Sequence, residues 1–186
     1  MEPTDQLSVI IPQLIDLVDR LDPAQLSNRT ACTDYDVSGV LDHMMGGAAA
    51  FGPAFRGEAP SQPSPMTTPV GEVPAAAFRA AMTGLLAAAN SPGAMQRTIA
   101  APFGEVPGSV FARFVAFDGL VHGWDIASAA GLAYDPPNDV VAAADEFARA
   151  TVGTEMRDGD TFAVETVAPA GATALEQLVA FTGRTL

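Results

Sequence analysis

The segment Ser109-Val110-Phe111-Ala112-Arg113-Phe114-Val115-Ala116-Phe117-Asp118-Gly119-Leu120-Val121-His122-Gly123-Trp124-Asp125 decides the fold. It reads as part of one long helix, from about Ser109 to Ala130, stopped by Gly131. On a wheel of about 100° per residue, Phe111, Phe114, Val115, Asp118, His122 and Asp125 fall on one stripe. The phenylalanines at its start mark that stripe as the core-facing side. Asp118 and Asp125 then point toward an apolar interior or a cleft, where an ionised carboxylate without a partner is costly. A divalent cation removes the cost, and Asp118 and His122, four apart, share the face needed to hold it.

Working outward, the second histidine belongs to another helix, starting near Thr33 to Asp36. Thr33-Asp34-Tyr35-Asp36 fits the capping pattern Ser/Thr-x-x-Asp/Glu. This helix carries His43 in Leu41-Asp42-His43-Met44-Met45-Gly46-Gly47 and fades near Gly52-Pro53 or Gly57. Gly39, Gly46 and Gly47 beside His43 cost roughly 1 kcal/mol each against Ala. They leave a groove for a neighbouring helix or for a ligand. Spacing alone fits two readings equally: a three-ligand metal site with an open position, built from His43, Asp118 and His122, or ordinary core histidines at a close helix crossing. For the metal reading, two imidazoles and one carboxylate suit Zn²⁺ first, with Fe²⁺, Ni²⁺ or Mn²⁺ as alternatives. Asp125 is then a fourth ligand, an acceptor that orients an imidazole, or a group that moves a proton; its structural reading is a surface acid or a cap.

Further helices are expected from about Thr4 to Leu21, with Pro12 kinking it or setting its effective start, from Pro74 to Ala89, from Asn138 to Val152, and from Ala172 to Gly183. Arg97 to Pro107 reads as a turn or short hairpin, and Thr161 to Val167 alternates like a short strand. Gly57 to Pro74, rich in Pro, Ser and Thr, reads as a long connector or a cover over the site. The sum is all-α, with residues 1–155 as a metal-binding helical bundle and 156–186 as a small C-terminal α/β appendage packed on it.

Composition narrows the function. The net charge is −13, and all nine cations are Arg. Such a chain is not expected to bind nucleic acid or an anionic membrane surface. No apolar run approaches a membrane span, and the N-terminus lacks a secretory pattern, so a cytoplasmic protein is expected. Cys32, the single cysteine, precedes the second helix, whose positive end can lower a thiol pKa; an inert small hydrophobe is the alternative. Ser109 has no Gly-x-Ser-x-Gly context, and Trp124 reads as packing. Phe51, Phe55, Phe111, Phe114 and the long connector are the expected wall of an apolar pocket.

Three blocks carry a resemblance: Cys32-Thr33-Asp34-Tyr35-Asp36-Val37 leading to His43 and Gly46-Gly47, Pro102-Phe103-Gly104-Glu105-Val106-Pro107-Gly108, and Asp118-Gly119-Leu120-Val121-His122-Gly123-Trp124-Asp125-Ile126-Ala127. With the ending Leu178-Val179-Ala180-Phe181-Thr182-Gly183-Arg184, they make the chain resemble the DinB-like superfamily that includes mycothiol-dependent maleylpyruvate isomerase, most closely its short actinobacterial metal-binding branch. The resemblance implies an up-down-down-up four-helix bundle with a metal held by His43, Asp118 and His122. It also implies mycothiol as cosubstrate, a transferase or isomerase reaction on a small apolar electrophile, and a homodimer as one assembly. Asp118 stands where isomerase-like members carry Glu, and Ala48 where many relatives carry Asn. The isomerase's extra C-terminal domain is not expected in 186 residues. The other function classes are a metal or small-ligand binder without catalysis, and an enzyme that activates water on its metal.

Overall fold

Apolar side chains recurring at helical spacing gather four helices around one core. The computed structural model describes residues 1–58, 68–101, 103–157 and 162–186. Along the chain run α1 (Pro3–Val18), α2 (Val37–Arg56), α3 (Ala75–Ala89), β1 (Thr98–Ala101), β2 (Gly104–Pro107), α4 (Gly108–Ala130), α5 (Asn138–Thr151) and α6 (Ala174–Phe181). Leu7 and Leu14 of α1, Leu41 of α2, Phe78 of α3 and Leu120 of α4 are fully buried at the centre.

Helix directions follow from contacts at their ends. Arg113, early in α4, donates to the Met1 carbonyl, and Arg20, past the end of α1, donates to the Ala133 carbonyl, past the end of α4. These two helices are therefore parallel. Phe51, late in α2, meets Phe111, early in α4, with ring centres 4.5 Å apart, so α2 runs against α4. Asp19 after α1 pairs with Arg79 early in α3. The Ser91 hydroxyl after α3 donates to the Phe55 carbonyl late in α2. The order is up-down-down-up, as the resemblance implied. α1 and α2 sit at opposite corners, each packed on both α3 and α4.

The hairpin expected before α4 is present: β1 and β2 pair antiparallel, Ala101 opposite Gly104 and Thr98 opposite Pro107. Gly104 sits at φ 121°, a backbone state that favours glycine. The turn brings Phe103 beside α4, its ring 4.3 Å from that of Phe114. α5 packs on α4, and α6 on both. α4 ends where expected, with Gly131 at φ 66°.

Three local expectations change. α1 starts at Pro3 and runs through Pro12, which is exposed, so water can serve the carbonyl it leaves without a donor. The cap of α2 is Asp36, not Thr33: its carboxylate accepts from the Gly39 amide at 2.8 Å and from the Ser38 hydroxyl at 2.8 Å. From Phe162 onward the expected strand forms no sheet. It lies against the end of α6 instead, the Thr166 amide donating to the Ala180 carbonyl at 3.0 Å. Half of the long connector, residues 59–67, lies outside the described residues, as does Thr161. Its far end is fastened to α2, because Asp42, next to His43, accepts from the amide and hydroxyl of Thr68 at 2.7 and 2.6 Å.

The capping geometry makes a direct prediction. Asp36→Ala should cost about 1 kcal/mol in urea denaturation. Thr33→Ala should leave stability within about 0.5 kcal/mol of the parent. Equal losses would return the cap to Thr33.

Candidate functional site

Periodicity on α4 aims Asp118 and His122 at α2, and the antiparallel crossing brings His43 to meet them. One ligand atom from each of the three lies within 4.8 Å of the others. The Asp118 Oδ1 atom is 3.4 Å from His122 Nε2 and 3.7 Å from His43 Nε2. The imidazole rings stand edge to face, centres 4.9 Å apart. Both separations are too long for good N–H···O bonds. They approach the ~3.3 Å spacing of ligand atoms around a tetrahedral cation with bonds of about 2.0–2.1 Å. Two imidazole nitrogens and a carboxylate oxygen that converge without satisfying one another fit a small divalent cation.

The cluster forms part of the wall of a cavity of about 420 Å³. Asp118 is surrounded by protein, yet 47% of its side chain remains accessible because it faces this cavity. The neighbouring wall carries Phe51, Phe103, Phe111 and Phe114. Phe55, expected there, is fully buried behind it, and Phe103 of the hairpin takes its place. Gly47 borders the cavity, and nothing lies within 4 Å of where a Cβ on Gly46 or Gly47 would stand. The expected groove beside His43 is therefore real on that side. Gly39 differs: a Cβ there would press on the Tyr35 ring at 3.0 Å, so its role is packing. Cys32 also lines the cavity, and burial pushes its thiol pKa up rather than down. Trp124 packs, partly buried, against the core.

Asp125 does not line this cavity. It is fully buried beneath His122, its Oδ2 3.0 Å from His122 Nδ1. An ionised carboxylate only accepts, so the Nδ1 proton lies between them and Nε2 is the nitrogen facing Asp118. Arg184 closes the other side. Its Nε donates to both Asp125 oxygens at 3.0 and 3.2 Å, and its Nη2 to Oδ2 at 2.9 Å. Burial alone would raise the Asp125 carboxyl; the bonds from His122 and Arg184 hold it below the ordinary carboxylate range. Burial likewise opposes the Asp118 charge, but His122 outweighs it and keeps Asp118 ionised. Burial would lower His122 too, and Asp118 and Asp125 instead hold it up to about 9. Arg184 was not among the residues that spacing picked out; its signal was a cation directly after the apolar run Leu178–Phe181 and Gly183.

Residues 8–127 match the family described as mycothiol maleylpyruvate isomerase N-terminal domain. Two uncharacterized proteins of Mycobacterium tuberculosis, from strains CDC 1551 and H37Rv, are each 36% identical over 163 residues, covering 87% of this chain and 86% of theirs. The crystal structure of the mycothiol-dependent maleylpyruvate isomerase superposes with a TM-score of 0.60 at 16% identity, over 77% of this chain and 68% of that one. The likeness to that structure is one of fold.

The His122 environment sets a pH dependence for the metal-free protein. Its folded pKa, about 9, exceeds the ordinary 6.5. The stabilisation is therefore complete below about pH 6.5, declines above it, and is lost as pH rises through about 9. Urea denaturation of chelator-treated protein should show this fall. It should shrink in Asp118→Asn, which removes the partner; an unchanged profile there would contradict the pairing.

Proposed function

Because the chain belongs to the mycothiol maleylpyruvate isomerase N-terminal domain family, we propose that it is a metal-dependent enzyme that joins a low-molecular-weight thiol, mycothiol, to a small apolar electrophile, as an S-transferase or an isomerase. The carrying observation is the convergence of His43 Nε2, His122 Nε2 and Asp118 Oδ1 on the wall of a largely aromatic cavity. In this reading the three side chains hold a divalent cation, Zn²⁺ being the best fit to two imidazoles and a carboxylate. When bound, such a cation lowers the pKa of a thiol at its open position, so that a group with an ordinary pKa of about 8.5 is a thiolate at neutral pH.

The chain's own residues do the rest. Asp118 brings the one anionic oxygen in the donor set. Asp125 takes the Nδ1–H of His122, which fixes the ring and leaves the Nε2 lone pair for the cation. From under the ring it orients a ligand rather than handling a substrate proton. Gly46 and Gly47 leave the space through which a thiol reaches the site. Phe51, Phe103, Phe111 and Phe114 receive the apolar body of the electrophile and keep water from it. A cytoplasmic location belongs to this reading, since it relies on a thiol of the cell interior. No helix among the described residues is long and apolar enough to cross a membrane.

Metal analysis is the first test. The purified or reconstituted protein should hold about one equivalent of a divalent transition metal, and His43→Ala should hold less than roughly a tenth of that. A metal-free wild type removes the proposal; full occupancy in the variant shows that the ligands are others. Mycothiol should bind the metal-loaded form and not the metal-free form, and should be consumed with monochlorobimane. Binding to neither form would leave a water-activating enzyme or a plain metal binder. For the aromatic wall, Phe103→Ala should raise KM for an apolar electrophile about tenfold while metal content stays at the parent level.

A further inference from the structure

We propose that the C-terminal tail is a working part of the metal site: Arg184, acting through Asp125, positions His122 for the cation. This rests on the metal reading above and extends it to residues far beyond the 8–127 span of the family match.

Asp125 and Arg184 are 59 positions apart, yet they form a buried forked pair through three N–H···O contacts. The guanidinium has no freedom to slide. Its Nη1 donates to the Thr182 hydroxyl at 3.1 Å, and that hydroxyl donates to the Val179 carbonyl at 2.6 Å. The tail backbone is also clamped. The Thr166 hydroxyl donates to the Arg184 carbonyl at 2.5 Å. Gly183 sits at φ 94° where a Cβ would collide with Ala163. Two residues earlier, the Phe181 ring lies 4.6 Å from the guanidinium carbons of both Arg149 and Arg157, and Arg157 donates to the Phe181 carbonyl at 3.0 Å.

The tail is thus fixed against α5 and the 162–166 segment before it reaches Asp125. Asp125 in turn contacts His122 through Nδ1, the nitrogen opposite the one that faces His43 and Asp118. A carboxylate free to rotate would no longer fix the ring or its tautomer, and outer partners of this kind govern metal affinity. Within the appendage, residues 162–186 are by this argument a positioning element rather than a decoration.

The test is a competition titration of Zn²⁺ against a chromophoric chelator, with the Co²⁺ absorption spectrum as a second readout and thermal melts to follow the fold. Arg184→Gln is expected to weaken Zn²⁺ binding by about 10–100-fold and to alter the Co²⁺ spectrum. Arg184→Lys, which keeps the charge but not the fork, should recover only part of the loss. Because Arg184→Gln alone strands a buried carboxylate and can fail to fold, the neutral pair Asp125→Asn/Arg184→Gln is compared with Asp125→Asn. If Arg184 acts through Asp125, these two bind Zn²⁺ within about threefold of each other. A folded Arg184→Gln with parental affinity and spectrum overturns the inference, whatever its melting temperature; so does a double variant much weaker than Asp125→Asn. In both cases the metal reading stands. Absence of Zn²⁺ binding by the wild type removes that reading and this one with it.

Discussion

Asp125 is a carboxylate at zero solvent exposure, and its charge must be met on every side. A buried ion is tolerable only when geometry and hydrogen bonds replace its hydration. Here one side is met by an imidazole on its own helix and the other by a guanidinium from the far end of the chain. Removing one partner from such a pair costs about 3–5 kcal/mol, because the survivor stays buried. The arrangement therefore couples two things that could have been separate: the orientation of His122 and the docking of the tail behind α6.

The same constraint explains the division of labour between two acids on one helix. Asp118 and Asp125 share a stripe, but one faces a solvent-reachable cavity and the other does not. Asp118 keeps its lone pairs for whatever enters. Asp125 spends its own on fixed neighbours. The aromatic wall lies at the opposite end of that stripe, where the hairpin swings Phe103 against Phe114. α4, read along its length, thus contributes to both the polar and the apolar half of the cavity, and α2 and the hairpin complete them.

Much of this was legible in the sequence because it is periodic. Phe111, Phe114, Asp118, His122 and Asp125 recur at helical spacing, so the stripe, its inward direction and the meeting of Asp118 with His122 followed from one wheel. His43 was legible by its glycines, two of which border open space. What failed to show was long-range or partner-dependent. Arg184 looks like a loose tail until the bundle brings Asp125 beside it. The alternation from Phe162 to Val167 has the period of a strand, but a strand needs a partner edge, and the end of α6 took up its hydrogen bonds instead. Phe55 proved buried behind the cavity wall and Phe103 part of it, because a wheel does not say which aromatic a hairpin will bring to a cavity. Thr33 and Asp36 both suit a helix start, and only the Gly39 amide chose between them.

The placing of α1 and α2 at opposite corners bears on how the chain is made. Helices adjacent in sequence usually give an emerging chain its first stable pair. Here α1 finds its neighbours in α3 and α4, and so does α2. A nascent chain that has released only its first two helices has nothing to cover Leu7, Ile10 and Leu14 on one or Val40, Leu41 and Met45 on the other. Closure waits for non-local contacts, whose loop entropy must be met before they stabilise anything. The ribosome therefore holds two unshielded apolar stripes until α3 emerges, with α4 still needed to complete their cover, and that interval is when chaperone capture or self-association competes with folding.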